Sequence, residues 1–340
     1  MKVLVTGGAG FIGSHYTRDL LAGAHGPQAH VTVVDKLTYA GDRFNLPDDH
    51  PRMTFVRGDV RDRRLLMNLL PGHDAVVHFA AESHVDRSIS GAAEFVATNV
   101  EGTHTLLDCC LHTGIERFVH ISTDEVYGSI ERGAWDEEQP LQPNSPYAAS
   151  KGAADLLVRA FHRTHGLATS IVRCSNNYGP RQFPEKLIPL FVTNLLEGAD
   201  VPLYGDGSNV REWIHVHDHC RAIQLVLDSG RPGAVYNVGG GTELTNIELT
   251  GRLLAACDAD WSRVKRVPDR KGHDRRYALD TTKIRDELGF EPQVPFDEGL
   301  ADTVRWFREN RWWWEPYRWR MAAQAPADGA TDLVGGMTDV

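Results

Sequence analysis

The N-terminal stretch constrains this chain more than any other. Val3-Leu4-Val5-Thr6 is a short apolar run of strand length that opens directly into Gly7-Gly8-Ala9-Gly10-Phe11-Ile12-Gly13, and a helical pattern begins at Ser14. Glycine permits a tight turn and a close backbone approach to a pyrophosphate, while the helix that follows offers free N–H groups and the positive end of its dipole. Such glycines say little alone. Between a strand and a helix, they predict a dinucleotide-binding βαβ unit. The second apolar run, Val31 to Asp35, ends in a carboxylate. A carboxylate there can accept from both ribose hydroxyls and would repel a 2′-phosphate, so NAD is favoured over NADP, although Lys36 beside it pulls the other way.

Three further apolar runs, Thr54 to Arg57, Ala75 to Phe79 and Phe118 to Ser122, alternate with helical patterns such as Leu65 to Leu70 and Ala92 to His112. Their near-continuous hydrophobicity suits strands covered on both faces. The fold class expected is α/β: a doubly wound parallel sheet (Rossmann) with a smaller C-terminal substrate-binding α/β lobe. Residues 1–175 are read as the NAD-binding domain, with 209–238 returning to it. Residues 176–208 and 239–320 are read as the second lobe, and 321–340 as a disordered tail, being rich in Ala, Gly and Asp. Asp59-Val60 closes the third strand, where it can bracket an adenine. Ala80-Ala81 closes the fourth, where small side chains let a cofactor lie against the strand ends.

Composition narrows the partners. A net charge of −10 argues against nucleic acid or an anionic membrane. No apolar run approaches the roughly 20 residues of a membrane span, and the N-terminus meets glycine too soon for a signal peptide. Five cysteines, an odd number in a long chain, do not read as a disulfide framework. Cys109 and Cys110 read as buried, reduced thiols. The expectation is a soluble cytoplasmic protein.

A second motif carries chemistry. Pro143-Asn144-Ser145-Pro146 precedes Tyr147-Ala148-Ala149-Ser150-Lys151 at the start of a helical pattern. Residues four apart share a helix face, so Lys151 stands beside Tyr147, and its charge is expected to lower the phenol pKa toward neutrality. A phenolate so placed can accept a hydroxyl proton while hydride leaves the same carbon for a nicotinamide. The fifth strand ends in Ser122-Thr123-Asp124-Glu125-Val126-Tyr127-Gly128. Two adjacent carboxyls, of which only one ionises easily, make an acid/base pair.

With Ala80-Ala81-Glu82-Ser83-His84-Val85-Asp86-Arg87-Ser88, Asn176-Asn177-Tyr178-Gly179-Pro180, Phe183-Pro184-Glu185-Lys186-Leu187-Ile188-Pro189 and Asp269-Arg270-Lys271-Gly272-His273-Asp274, the chain up to about Arg318 resembles the extended short-chain dehydrogenases/reductases. Within them it is most similar to the NAD-dependent nucleotide-sugar 4,6-dehydratases acting on dTDP-glucose. Sugar epimerases of the superfamily keep a Ser or Thr at the end of the fifth strand but lack the two acids.

The resemblance implies a hydro-lyase that oxidises C4, eliminates water across C5 and C6, and returns hydride to C6. In it Thr123 bonds O4, Tyr147 moves its proton beside Lys151, Glu125 is the base at C5 and Asp124 the acid at O6. NAD would contact Gly7, Gly10, Phe11, Ile12, Gly13, Asp35, Lys36, Leu37, Thr38, Asp59, Val60, Ala80, Ala81, Glu82, Thr98, Tyr147, Lys151 and Asn177. For the substrate, Lys186 and Arg211 would face the diphosphate and Arg270 and His273 would close over it. Asn176 and Asn246 would add polar contacts, Pro202 and Tyr204 would pack against the base, and Ser83, Thr123 and Leu187 complete the set. Arg181 departs from the family, where an aromatic residue is common. A homodimer through helices around Ala92–His112 and Tyr147–Thr164 is also implied.

Other signals are weaker. His215-Val216-His217-Asp218-His219-Cys220 looks like a metal cluster, but its flanks read as a strand entering a helix capped by Asp218, and no metal is expected. Trp312-Trp313-Trp314 reads as packing rather than as a sugar platform. No Gly-x-Ser-x-Gly elbow is present. The rival readings are an epimerase with the same hydride shuttle and a catalytically silent NAD-binding regulator.

Overall fold

In the computed structural model, which describes residues 1–323, the apolar runs line up as parallel strands. They are β1 (Lys2–Thr6), β2 (His30–Asp35), β3 (Met53–Arg57), β4 (Ala75–His78), β5 (Arg117–Thr123) and β6 (Thr169–Cys174), joined by a seventh strand, Val235–Val238. Their order is β3-β2-β1-β4-β5-β6 with the seventh strand outside β6. Helices cover both faces, so Val3, Leu4 and Val5 are fully buried in succession. The strand order reverses between β1 and β4, and a crevice opens beyond the carboxyl ends of the strands at that switch point.

Helices α1 (Phe11–Ala22), α2 (Arg63–Leu69) and α3 (Val85–Ser90) come first along the chain. The helical pattern over Ala92–His112 is not one regular helix. It divides into α4 (Ala93–Phe95), a π-helical turn (Val96–Gly102) and α5 (Thr103–Thr113). Asn99, inside that turn, accepts from Glu82 N at 2.8 Å and donates to Glu82 O at 3.0 Å, which gives the wider turn a tertiary anchor. Helix α6 (Pro146–His165) starts where Ser145 accepts from Ala148 N and Pro146 takes the first helical position, and it stops at left-handed Gly166.

The second lobe holds β7 (Asn176–Tyr178), α7 (Leu187–Leu196), β8 (Val201–Tyr204) and β9 (Val210–His215). Helix α8 (Val216–Ser229) then packs back against α1, and β10 (Val235–Val238) is the seventh strand of the large sheet. Next come β11 (Thr242–Thr245), α9 (Asn246–Ala256), β12 (Val264–Val267), α10 (Thr282–Leu288), α11 (Phe296–Glu309) and α12 (Arg311–Ala323). Strands β11, β9 and β7 form a small sheet, and β12 pairs with β8. A separate core of Phe191, Leu249, Leu253, Phe307 and Trp314 fills this lobe.

Residues 321–323, read as the start of a tail, belong to α12; the rest of that reading lies outside the described residues. The cap of α8 is His215, whose Nδ1 accepts from His217 N. Asp218 instead accepts from Gln293 N and Val294 N, both at 2.9 Å, because the segment leading into α11 brings two unpaired N–H groups against it. Trp314 is fully buried in the second-lobe core. Trp313 Nε1 donates to Asn45 Oδ1 of the first lobe.

Candidate active site

At the crevice the chain turns at Gly7 with φ +67°, a left-handed conformation that favours glycine. A Cβ there would lie 2.5 Å from Ala80 N, and one at Gly13 would lie 2.4 Å from Gly7 O. Both positions must be bare for β1, α1 and the end of β4 to meet. Gly10 caps α1 without a side chain, leaving the helix N-terminus open to the crevice. Asp35 accepts from Ala9 N at 2.9 Å and Leu37 N at 2.8 Å, which ties the glycine turn to the end of β2. Lys36 is paired with Asp59 at 3.0 Å, so its charge is partly answered within the protein.

Across the crevice, Thr123 ends β5 and caps a short 3₁₀ turn, Asp124–Tyr127. Its hydroxyl accepts from Glu125 N at 3.3 Å and donates to Asp124 Oδ1 at 3.1 Å. Asp124 is buried, and its Oδ2 has no hydrogen-bond partner. Burial holds this carboxyl well above the ordinary carboxylate range, reinforced by the negative charges of Glu125 and Glu212. Glu125, partly open to the cleft, is also raised by burial, but Arg211, Lys186 and Arg270 pull it back toward ionisation. Two neighbouring acids are thus biased apart, one toward the protonated form and one toward the carboxylate. Tyr147 stands one helical turn before Lys151, with its phenol beside the Thr123 hydroxyl.

The second lobe supplies the far wall. Lys186 Nζ donates to Ser83 O at 2.6 Å, bridging the lobes. Arg211 donates to Asp274 O at 3.0 Å and stacks 4.4 Å above the Tyr277 ring. Arg270 pairs with Asp86 at 3.1 Å and lies over Tyr204, while His273 Nδ1 is 2.6 Å from Asp269 Oδ1. One cavity brings together Gly7, Gly10, Phe11, Ile12, Gly13, Asp35, Lys36, Thr38, Asp59, Val60, Ala80, Ala81, Glu82, Thr98, Asn177, Thr123, Asp124, Glu125, Tyr147 and Lys151. Ser83, Asn176, Lys186, Leu187, Pro202, Tyr204, Arg211, Asn246, Arg270 and His273 line it too.

Residues 4–303 match the family described as GDP-mannose 4,6 dehydratase. A dTDP-glucose 4,6-dehydratase from Streptomyces niveus is 60% identical over 324 residues, 94% of this chain and 96% of that protein. The crystal structure of DesIV, a dTDP-glucose 4,6-dehydratase from Streptomyces venezuelae with NAD bound, matches at 64% identity and a TM-score of 0.92. The match covers 93% of this chain and 100% of that one. The chain belongs to this family of nucleotide-sugar 4,6-dehydratases. A UDP-glucose 4-epimerase from Thermotoga maritima also matches, at 33% identity and a TM-score of 0.85 over 92% of this chain and 100% of its own, so dehydratases and epimerases share this fold.

One expectation for the dehydratase site needs correction, and Leu37 has a part that the sequence did not suggest. Its φ of +56° turns it back against the core of the first lobe, and its part is the backbone N–H given to Asp35. The Tyr147 phenol is not lowered toward neutrality: burial, and then the charge of Glu125, push it well above its ordinary value. Lys151 donates to Ile121 O at 2.6 Å, so the ammonium is anchored to β5. Other participants were not among the residues expected at the site, although Asp274 ends one of the motifs that carry the resemblance. Asn99 also donates to Ser150 Oγ at 2.8 Å, coupling the π-helical turn to α6. Tyr277 and Asp274, joined at 2.6 Å, set the floor under Arg211.

Proposed function

We infer that the chain converts dTDP-glucose to dTDP-4-keto-6-deoxyglucose, a deoxysugar precursor, with NAD as a cofactor regenerated in each turnover. The observation that carries this reading is the Asp124–Glu125 pair, two carboxyls driven apart in ionisation and sharing one cavity with Tyr147 and the glycine turn. The dTDP-glucose 4,6-dehydratase from Streptomyces niveus, 60% identical, and the NAD-bound DesIV structure support it.

The residues fit NAD. The bare backbone at Gly7 and Gly13 and the open N-terminus of α1 suit a pyrophosphate, and Asp35, with lone pairs to spare, suits a ribose. When bound, NAD accepts the C4 hydride and later delivers it to C6. Tyr147 accepts the O4 proton, with Thr123 holding O4; the Lys151 ammonium and the positive charge that NAD would bring offset the burial that raises the phenol. The C4 ketone acidifies C5–H, and Glu125, kept ionisable by three cations, takes that proton. Asp124, kept protonated by burial, gives its proton to O6 as water leaves. Lys186, Arg211 and Arg270 face the diphosphate as charge partners.

Incubation with dTDP-glucose and, separately, UDP-glucose tests this reading. The expected result is a 4-keto-6-deoxy product, faster from dTDP-glucose, with no accumulation of free NADH. Stoichiometric NADH release would overturn the closed redox cycle, and a 4-epimer as product would favour the epimerase reading.

We also propose a cytoplasmic homodimer. No helix among the described residues is long and apolar enough to cross a membrane, and the cysteines there are unpaired. Helices α5 and α6 pack side by side, with Leu156 and Val96 exposed on this region. Leu156→Glu should convert the dimer to a monomer by light scattering.

A further inference from the structure

Tyr147, Lys151 and Asp155 follow one another at four-residue intervals along α6, so they form a single stripe on its buried face. Behind the cavity that stripe enters a closed polar cluster. Lys151 Nζ lies 3.5 Å from His120 Nε2, and that His120 nitrogen in turn lies 3.5 Å from Asp155 Oδ1. Asp155 Oδ2 accepts from Arg173 Nε at 2.8 Å. Arg173 donates onward to the Tyr127 hydroxyl at 2.7 Å, which donates to Asn237 Oδ1 at 2.8 Å. His120, Asp155, Arg173 and Lys151 are all at least nine-tenths buried. Asp155 Oδ1 and His120 Nδ1 have no hydrogen-bond partner.

Two buried cations thus share one buried carboxylate. An uncompensated charge this deep is expensive, so how the carboxylate is divided decides whether Lys151 keeps its proton. Other groups face Lys151 from the elements packed around it. His120 comes from β5, with the His78 ring of β4 tilted against it at 5.3 Å, and Arg173 and Cys174 come from β6. On the far side of Tyr147 stand Asp124 and Glu125. Among these, Asp155 is the anion on the Lys151 side of the phenol.

We propose that Asp155 is a positioning residue for the reaction: acting past His120, it holds the Lys151 ammonium charged behind Tyr147, and Arg173 sets how much of its negative charge Lys151 receives. This rests on the role given to Lys151 above. It agrees with the balance at Lys151, where burial lowers the ammonium to about 8 and Asp155 is the largest influence opposing that fall. His120 is kept neutral by its burial and by the Lys151 charge, so it separates the ion pair without adding a charge.

The test uses the full chain with NAD bound and lysine labelled with ¹³C at Cε. The Lys151 signal is assigned through Lys151→Arg, and its titration is read beside the pH profile of kcat with dTDP-glucose. Asp155→Asn keeps the shape and removes the charge, so the Lys151 midpoint and the alkaline limb of kcat should both fall by about one pH unit or more. Arg173→Met leaves the carboxylate undivided, so both should rise. A general loosening of the fold cannot move one variant down and the other up. If Asp155→Asn fails to fold, the double variant with Arg173→Met removes the guanidinium that would otherwise be left unpaired, and its midpoint should lie below that of Arg173→Met alone. An unchanged Lys151 midpoint across these variants overturns the proposal. A midpoint that moves while the alkaline limb stays fixed shows instead that Lys151 is not coupled to the chemistry, and the proposal falls with that role.

Discussion

Trp313 Nε1 donates to Asn45 Oδ1 at 2.9 Å, and the Asn45 amide donates in turn to Ala9 O, also at 2.9 Å, inside the glycine turn. The C-terminal helix α12 therefore reaches across the lobes and steadies the turn that approaches the pyrophosphate. Tyr317 adds a second tie, its hydroxyl donating to Asp42 Oδ2 at 2.5 Å.

This relay predicts an effect at a distance. Trp313→Phe keeps most of the packing but leaves Asn45 Oδ1, at a buried site, without its donor, a loss of about 1–3 kcal/mol. The variant should lose thermal stability and release NAD several-fold faster, with KM for dTDP-glucose unchanged. Stopped-flow displacement of bound NAD measures the first effect. A raised KM with unaltered NAD release would return the tryptophan run to the role of a sugar platform.

Asp35 carries two duties, since its oxygens bind Ala9 N and Leu37 N as well as facing the ribose position. Asp35→Ala should weaken NAD binding by about 10- to 100-fold, as one or two charge-assisted hydrogen bonds at roughly 1.5–3 kcal/mol each would give. It should also lower stability of the NAD-free protein, because two N–H groups lose their acceptor. Calorimetric titration of NAD into stripped protein is the check, and unchanged affinity would show that the β2 carboxylate does not reach the ribose.

These residues explain what the sequence made legible. The glycine turn, Asp35 and the Tyr147–Lys151 pair are encoded locally, because a turn, a strand end or one helical turn places them. The long-range closures are another matter. The anchor of Asn99 on Glu82, the shared carboxylate of Asp155 and the hold of Asn45 on Ala9 join positions far apart in the chain, and no local period marks them. The same limit misled the reading of Asp218 as a helix cap, since its true partners at 293 and 294 arrive from another element. The phenol went astray for a different reason: spacing sets the neighbour of Tyr147, but burial sets its proton affinity.

The burial of Asp124 has a consequence for stability. Its folded-state pKa is raised, so the native protein holds a proton that the unfolded chain gives up above the ordinary value of 3.8. Stability is therefore lost as pH rises from that value through the folded one. Asparagine does not titrate, and its Oδ1 can keep the Thr123 bond. Asp124→Asn should match the parent near pH ~4 and become more stable than it at higher pH, by up to about 1.4 kcal/mol per pH unit while the parent's folded carboxyl stays protonated. Urea unfolding of the NAD-free protein between about pH 5 and 8 tests the sign. A stability difference that does not change with pH would mean that Asp124 is ionised in the folded state.

The same pair can be separated in the reaction itself. Glu125, balanced by Arg211, Lys186 and Arg270, is the group able to take a proton from C5, so Glu125→Gln should block exchange of the C5 hydrogen with solvent while leaving C4 oxidation possible. Asp124, with Oδ2 buried and unpartnered, is the group able to give a proton to O6. Asp124→Asn should still oxidise C4 and exchange C5, yet lose water about 10²–10⁴-fold more slowly, the usual contribution of general acid catalysis. Both variants would be mixed with dTDP-glucose in D₂O under single-turnover conditions, following enzyme-bound NADH and deuterium at C5. Enzyme-bound NADH should build up in each, but only Asp124→Asn should carry deuterium into the sugar. If Asp124→Asn lost the exchange and Glu125→Gln kept it, the two roles would be reversed. If neither slowed dehydration by about tenfold, the pair would be bystanders, and the shared fold would leave the epimerase reading in the stronger position.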